Sequence, residues 1–367
     1  MSKPLSSVDC IAPAFAQTKH QLFAPFRLKR WGRLALVCLL TGEFAGGGGG
    51  GGGPYANFHF PITKPKGGKA LLAIPHIDWG KILPWLPWIL AGVVLLFLLV
   101  ILWIYVGSVY RFVLLDSVLC DRCELKGSWT RWEPCGRSYF YWCVALFLVS
   151  AIATSLIIGV PLLIFWRAGL FHHPGDHLAA LILGGVGVFF LLAVFVVVSA
   201  IIGLFAKDFC VPIMAMENVG VLDAWGKLLP MLAAEKIAFT GYVIMKIILA
   251  MGNAIIIGIV SLLTLIVVLI PLGIGGLVLF FGGKAIGLTL NVTTISILVV
   301  MGGVILAGFI YLIALINTPS MVFFQSYVLH FIGSRYAPVG GVLFPPPPEA
   351  PPPLPVDGQP ILNPSIG

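Results

Sequence analysis

Five runs of twenty or more apolar residues, at roughly 88–110, 139–166, 178–206, 237–270 and 286–317, constrain this chain more than anything else in it. A helix rises about 1.5 Å per residue, so about 20 apolar residues cross the roughly 30 Å hydrocarbon core of a bilayer. Backbone polar groups in lipid must be satisfied within the segment, which an α-helix does by itself. Composition agrees: 59% of the 367 residues are hydrophobic, 10% are charged and the mean hydropathy is +1.04. Soluble domains carry about 25% charge. The expected fold class is therefore an all-α polytopic membrane protein.

A sixth, shorter segment, residues 34–44 (LALVCLLTGEF), sits within RLKRWGRLALVCLLTGEF. Eleven residues suit a re-entrant or interfacial segment as well as a crossing. The first 20 residues lack an apolar core, so no cleavable signal is expected. Charge placement chooses between the two topologies, because basic residues collect on the cytoplasmic side. If the sixth segment crosses and the N-terminus is inside, fifteen basic residues fall inside. Six (Lys64, Lys66, Lys69, Lys81, Arg167 and Lys284) fall outside. With five crossings the split is twelve against nine, so about six transmembrane helices are expected, five strong and one short and N-terminal, with both termini cytoplasmic. The formal charge of +8 then belongs beside anionic headgroups and implies no nucleic-acid partner.

Between the apolar runs stand two half-polar segments, RFVLLDSVLCDRCELKGSWTRW (111–132) and DFCVPIMAMENVGVLDAWGKLLP (208–230). Phe112 and Phe209 are 97 residues apart and Trp129 and Trp225 are 96 apart, so one single-residue gap aligns them. In the second segment Asn218 is expected to cap a short helix, with Leu222, Trp225 and Leu229 on an apolar stripe and Asp223 and Lys227 opposite. In the first, Asp121 caps and Leu125, Trp129 and Trp132 form the stripe. Such helices suit the headgroup layer, and Trp129, Trp132, Tyr139, Tyr141 and Trp142 read as an aromatic belt. Residues 25–36 and 319–338 look like halves of the same unit. All four interfacial elbows would lie on the cytoplasmic side, giving an internal repeat.

The chain accordingly divides into a basic amphipathic arm and short hydrophobic segment (1–45), a glycine-rich linker and external loop (46–87), a helical membrane domain (88–336) and a proline-rich disordered tail (337–367). Within the membrane domain the repeats are 88–166 and 178–270, followed by 286–336. Residues 46–53 are eight glycines without the Gly-Lys-Ser/Thr of a phosphate loop, and read as a linker. The tail contains PPPPEAPPPLP at 345–355, which favours polyproline II or disorder.

Chemistry-bearing clusters are few. Cys120 and Cys123 have metal-clip spacing, but no second such pair exists among the seven cysteines, and a structural zinc needs four donors. His172, His173, Asp176 and His177 share a loop with a Pro-Gly turn that would not align them. Ordinary thiols and a solvated turn are the expected readings, with no cofactor. Lys246 is the one basic residue well inside an apolar run, with Asn253 seven residues on. Intramembrane charges mark functional sites by default, but Lys246 lies near the start of a long run and is expected to snorkel to the interface. Gly184, Gly185, Gly187, Gly302, Gly303 and Gly308 are expected to let helices pack closely, within this chain or between copies.

The segments FAPFRLKRWGRLALVCLLTGEFAGGGGG (23–50), RFVLLDSVLC (111–120) and KDFCVPIMAMENVGVLDAW (207–225) together resemble bacterial integral membrane proteins of uncharacterised role, related to the membrane domain found beside some glycerophosphodiester phosphodiesterases. The resemblance spans about residues 20–336 and implies a bacterial inner-membrane location. Its motifs are structural, and the catalytic barrel of those enzymes is absent, so it implies no catalytic residue. The expected function is a non-enzymatic scaffold, accessory subunit or lipid-interacting protein. Membrane lipids, a membrane protein complex or a second copy would be its partners. The alternative is a transporter or lipid-handling protein with a path between the two repeats near Lys246 and Asn253.

Overall fold

The computed structural model describes residues 4–24, 27–42, 84, 86–120, 125–169, 178–285 and 291–344. Ten α-helices are described, beginning with α1 (Ile11–Phe23), α2 (Leu28–Leu40), α3 (Leu86–Leu119), α4 (Leu125–Arg167) and α5 (Leu178–Phe205). A π-helical turn, Ala206–Cys210, follows α5. Then come α6 (Val211–Glu217), α7 (Val221–Ala234), α8 (Lys236–Ala285), α9 (Val292–Gly333) and α10 (Ala337–Leu343). Five of the described helical stretches, those built on α3, α4, α5, α8 and α9, are long and apolar enough to cross a membrane.

Each of these five helices has one end in a common core and the other standing clear of it. Along α3 the large side chains from Leu86 to Trp103 are exposed, whereas Val109, Phe112, Val113, Leu115 and Val118 are buried. The pattern reverses in α4, buried at Trp132, Cys135 and Tyr139 and exposed from Phe147 to Trp166. It alternates again in α5, α8 and α9. The exposed stretch of α3, Leu86 to Trp103, is about 27 Å long at 1.5 Å per residue, close to the roughly 30 Å of a bilayer core. The opposite ends gather into a head whose largest fully buried side chains include Phe112, Phe209, Tyr242, Tyr327 and Phe331. Burying side chains of this size stabilises by about 1.5–3 kcal/mol each, so the head holds the bundle together.

The four elbow segments all contribute to this one core. The second meets α4 just past the first: Ser138 Oγ accepts a hydrogen bond from the Val221 backbone N–H at 3.3 Å, and the Trp142 and Trp225 rings are 5.9 Å apart. The N-terminal helix α1 joins them, with Gln17 and Gln21 donating to the Val118 carbonyl at 3.1 and 2.6 Å. That helix was not legible as a core element, because its buried face includes Thr18 and Gln21 beside Ala14 and Leu22.

Helix α2 lies across the head rather than along the spans. At its start, Trp31 Nε1–H donates to the Leu315 carbonyl of α9 at 3.1 Å, and the Tyr311 hydroxyl donates to the Gly32 carbonyl at 3.2 Å. At its end, the Leu40 and Thr41 carbonyls stand over Gly107 of α3, where a Cβ would meet both oxygens at 3.3 Å. Positions 103–107 of α3 and 311–315 of α9 are where those helices pass from exposed to buried. A 13-residue helix spans only about 20 Å, so α2 bridges the two at the boundary level.

The elbows differ from expectation in their local detail. Asn218 adopts a left-handed backbone (φ 54°) and ends α6, while Gly220 precedes α7 without a side-chain cap. Asparagine tolerates this conformation better than most residues, so the polar residue closes one helix instead of opening the next. The buried stripe of α7 is Val221, Ala224 and Leu228, one residue out of phase with the expected one; Leu222 and Leu229 are 75% and 53% exposed. Asp121 lies outside the described residues, and the first elbow is no separate helix, since α4 runs unbroken from Leu125 into its span. The tail begins later than expected, because α10 packs on α9 with Val339 buried. Of the span glycines, Gly185, Gly187, Gly302, Gly303 and Gly308 face open space; Gly184 meets Phe165.

Candidate functional site

The π-helical turn widens the backbone where α5 enters the head, and such one-turn bulges recur at functional sites. It places Asp208 on the inner face of the core, 3% exposed. On α8, Tyr242 and Lys246 are four residues apart and therefore share a face. The Tyr242 hydroxyl donates to Asp208 Oδ2 at 2.9 Å, and Lys246 Nζ, 2% exposed, forms an ion pair with the same oxygen. Aromatic rings seal the centre: Tyr242 stacks on Tyr327 (5.4 Å, 11°) and packs against Phe331 at 4.6 Å and Phe209 at 5.0 Å. Tyr327 in turn donates to the Ser7 carbonyl at 3.0 Å. The centre thus ties together the N-terminal segment, α5, α8 and α9.

A buried ion pair offsets a large desolvation cost with Coulomb attraction and contributes little net stability, yet losing one partner is costly. Asp208, Lys246 and Tyr242 form a polar lock between the π turn and α8. Two surface cavities among the described residues are lined by other side chains, one between Leu28, Leu36, Tyr311 and Leu315, the other along Phe147, Thr154 and Ser155.

Lys246 therefore does not snorkel to the interface. It pairs with Asp208, 38 residues earlier; Asn253 lies two turns further along α8, partly buried, with its amide nitrogen lacking a hydrogen-bond partner. Asp208 reads in sequence as an elbow residue beyond the end of an apolar run. Nothing in the linear pattern pairs it with Lys246, since the pairing depends on the register added by the π turn.

The expected elbow residues act as packing elements of the head. Trp132 is buried and stacks on Phe112 (6.1 Å, 18°), and Trp129 packs beside Tyr105 and Tyr110. Trp225 meets Trp142. Asp223 is exposed, while Lys227 forms an ion pair with Glu217, which also accepts the Tyr336 hydroxyl. The candidate metal groups do not assemble where they are described: Cys120 is exposed, and Cys123, His172, His173 and His177 lie outside the described residues. Among the described residues no group of three His, Cys, Asp or Glu side chains is placed to hold a metal.

A second polar tie closes the chain ends. Arg335 donates from Nε to Glu235 at 2.8 Å and from Nη1 to the Leu5 carbonyl at 3.0 Å, with its guanidinium 4.0 Å over the Phe331 ring. Cys10 is buried nearby, and burial pushes its thiol up from 9.0 to about 11, an effect the positive charge of Arg335 opposes and Asp9 adds to.

Five apolar helices of bilayer length, joined at one end by a packed head with a polar lock, define a polytopic α-helical membrane protein. The chain belongs to a family of unknown function (DUF7544), whose model matches residues 5–340. The match runs from the segment before α1 into α10. It carries no link to the membrane domains found beside glycerophosphodiester phosphodiesterases. No curated protein and no solved structure matches the chain.

Proposed function

We propose that this is a non-enzymatic, lipid-interacting scaffold of a bacterial inner membrane, with the head and both chain ends at the cytoplasmic face. The observation that carries this reading is the gathering of all four elbow segments at one end of the five apolar helices. The exposed apolar lengths fit lipid, and the outward Leu222 and Leu229 of α7 suit the headgroup boundary. The lock at Asp208 and Lys246 supports a fixed scaffold over a transport path, because the one cation deep in an apolar run is committed to a counter-charge.

Basic residues favour a cytoplasmic head: Lys29, Arg33, Arg111, Arg131, Lys207, Lys227 and Arg335 are on head elements.

Single-cysteine variants in a cysteine-free background test the arrangement. Thr130→Cys in the head should react with a membrane-impermeant maleimide only in inverted vesicles, and Ala168→Cys at the far end only in right-side-out vesicles. Labelling of both from the same side overturns the proposal, and a reversed pattern overturns the orientation.

A further inference from the structure

We propose that the groove between α2 and α9 is a site for one anionic glycerophospholipid, its phosphate held by Lys29 and Arg33. The groove encloses about 670 Å3, is open to the outside, and is lined by Leu28, Lys29, Arg33 and Leu36 from α2 and by Tyr311 and Leu315 from α9. Lys29 and Arg33 are four residues apart and exposed, so their cations stand on one face over the groove. Neither has an acidic partner among the described residues. The remaining lining is mostly apolar.

Depth is what selects a lipid. The groove opens at positions 311–315, where α9 passes from the exposed apolar span to the buried head. A headgroup lies at that level and acyl chains lie just beyond it, along the exposed Ile310 and Leu306 of α9. An amphipathic helix with basic residues on its polar face is the element that meets anionic lipid in this layer. Gly32 forms the floor: a Cβ there would come within 2.6 Å of the Tyr311 hydroxyl. The absent side chain lets the two helices close while the Lys29 and Arg33 side chains stay free to reach outward.

This inference rests on the membrane-scaffold reading above and names its ligand. The test uses the full-length protein in detergent, offered equal amounts of phosphatidylglycerol and phosphatidylcholine with identical chains, with bound lipid counted by native mass spectrometry. Each basic residue at an anionic lipid surface contributes about a fivefold preference, so the pair should give about 30-fold for the first lipid bound. The double variant Lys29→Gln/Arg33→Gln should lose that preference, while Lys19→Gln/Lys236→Gln, equal in charge and away from the groove, should keep it. Millimolar inorganic phosphate should not displace the lipid, because it offers no chains to the apolar lining. Equal binding of the two lipids, an unchanged preference in K29Q/R33Q, or displacement by phosphate each overturns the site. Those results leave the vesicle-labelling pattern untouched, so loss of the groove and loss of the scaffold reading are told apart.

Discussion

Removing one member of the Asp208–Lys246 pair gives the sharpest test of the lock. Asp208→Asn keeps an oxygen for the Tyr242 hydroxyl but leaves a buried ammonium without its counter-charge; Lys246→Met leaves a buried carboxylate with a phenol alone. Each change should cost about 3–5 kcal/mol. Independent sites would lose about 6–10 kcal/mol together, outside the range of error for additive pairs. The double variant D208N/K246M buries no charge and keeps the Tyr242 hydrogen bond, so it should fall within about 1–2 kcal/mol of the parent. The coupling energy is then at least about 4 kcal/mol. Cys10 and Cys210 are both fully buried in the head, so their modification along a titration of denaturing detergent reports its opening. Additive losses, or a Lys246→Met protein as resistant as the parent, would refute the argument that the pair is a structural lock.

Other consequences are open to measurement. Gly136→Ala should cost about 1–3 kcal/mol in the same titration, because a Cβ there meets Val109 Cγ2 at 2.6 Å, whereas Gly185→Ala faces open space and should be silent. Arg335→Ala should weaken the anchoring of the N-terminal segment by about 2–3 kcal/mol, seen as faster protease cleavage before α1. The thiol of Cys10 is raised by burial to about 11; a group raised on folding stabilises below its unfolded value and loses that contribution as pH rises through the folded one. Head stability should therefore fall between pH 9 and about 11, and Cys10→Ala should remove that part of the fall. At pH 8, Cys10 should react with a maleimide far more slowly than the exposed Cys120.

The spans were legible because an apolar run needs no partner to be recognised: the run at 88–110 takes in the exposed length of α3 up to Trp103, and that at 139–166 the exposed length of α4 from Phe147 to Trp166. The head was legible only in outline. Trp129 and Trp225 marked the elbows, but helix phase in α7 depended on which stripe met α4, and the alternative one residue away is equally apolar. Asp208 gave no signal beyond its charge, since a single extra residue in a helical turn leaves no trace in periodicity. Helix α1 was hidden by its mixed buried face. Of the span glycines only Gly184 packs within the chain, against Phe165; the other five face open space there, which leaves packing between copies as the other use expected of them.

The head joins the two ends of the chain. Ser7 meets Tyr327, Leu5 meets Arg335 and Trp31 meets Leu315. The entropy of closing so long a loop is modest, because it grows only with the logarithm of length. Time is the larger consequence. At about 5–20 residues per second, the ribosome takes about 15–60 s to make the roughly 300 residues between α1 and its partners. Over that interval α1 can meet Val118 of α3 but lacks its contacts with α9. The order of synthesis thus makes the last span the trigger for head assembly, and a nascent chain stalled before α9 should hold its N-terminus open to protease.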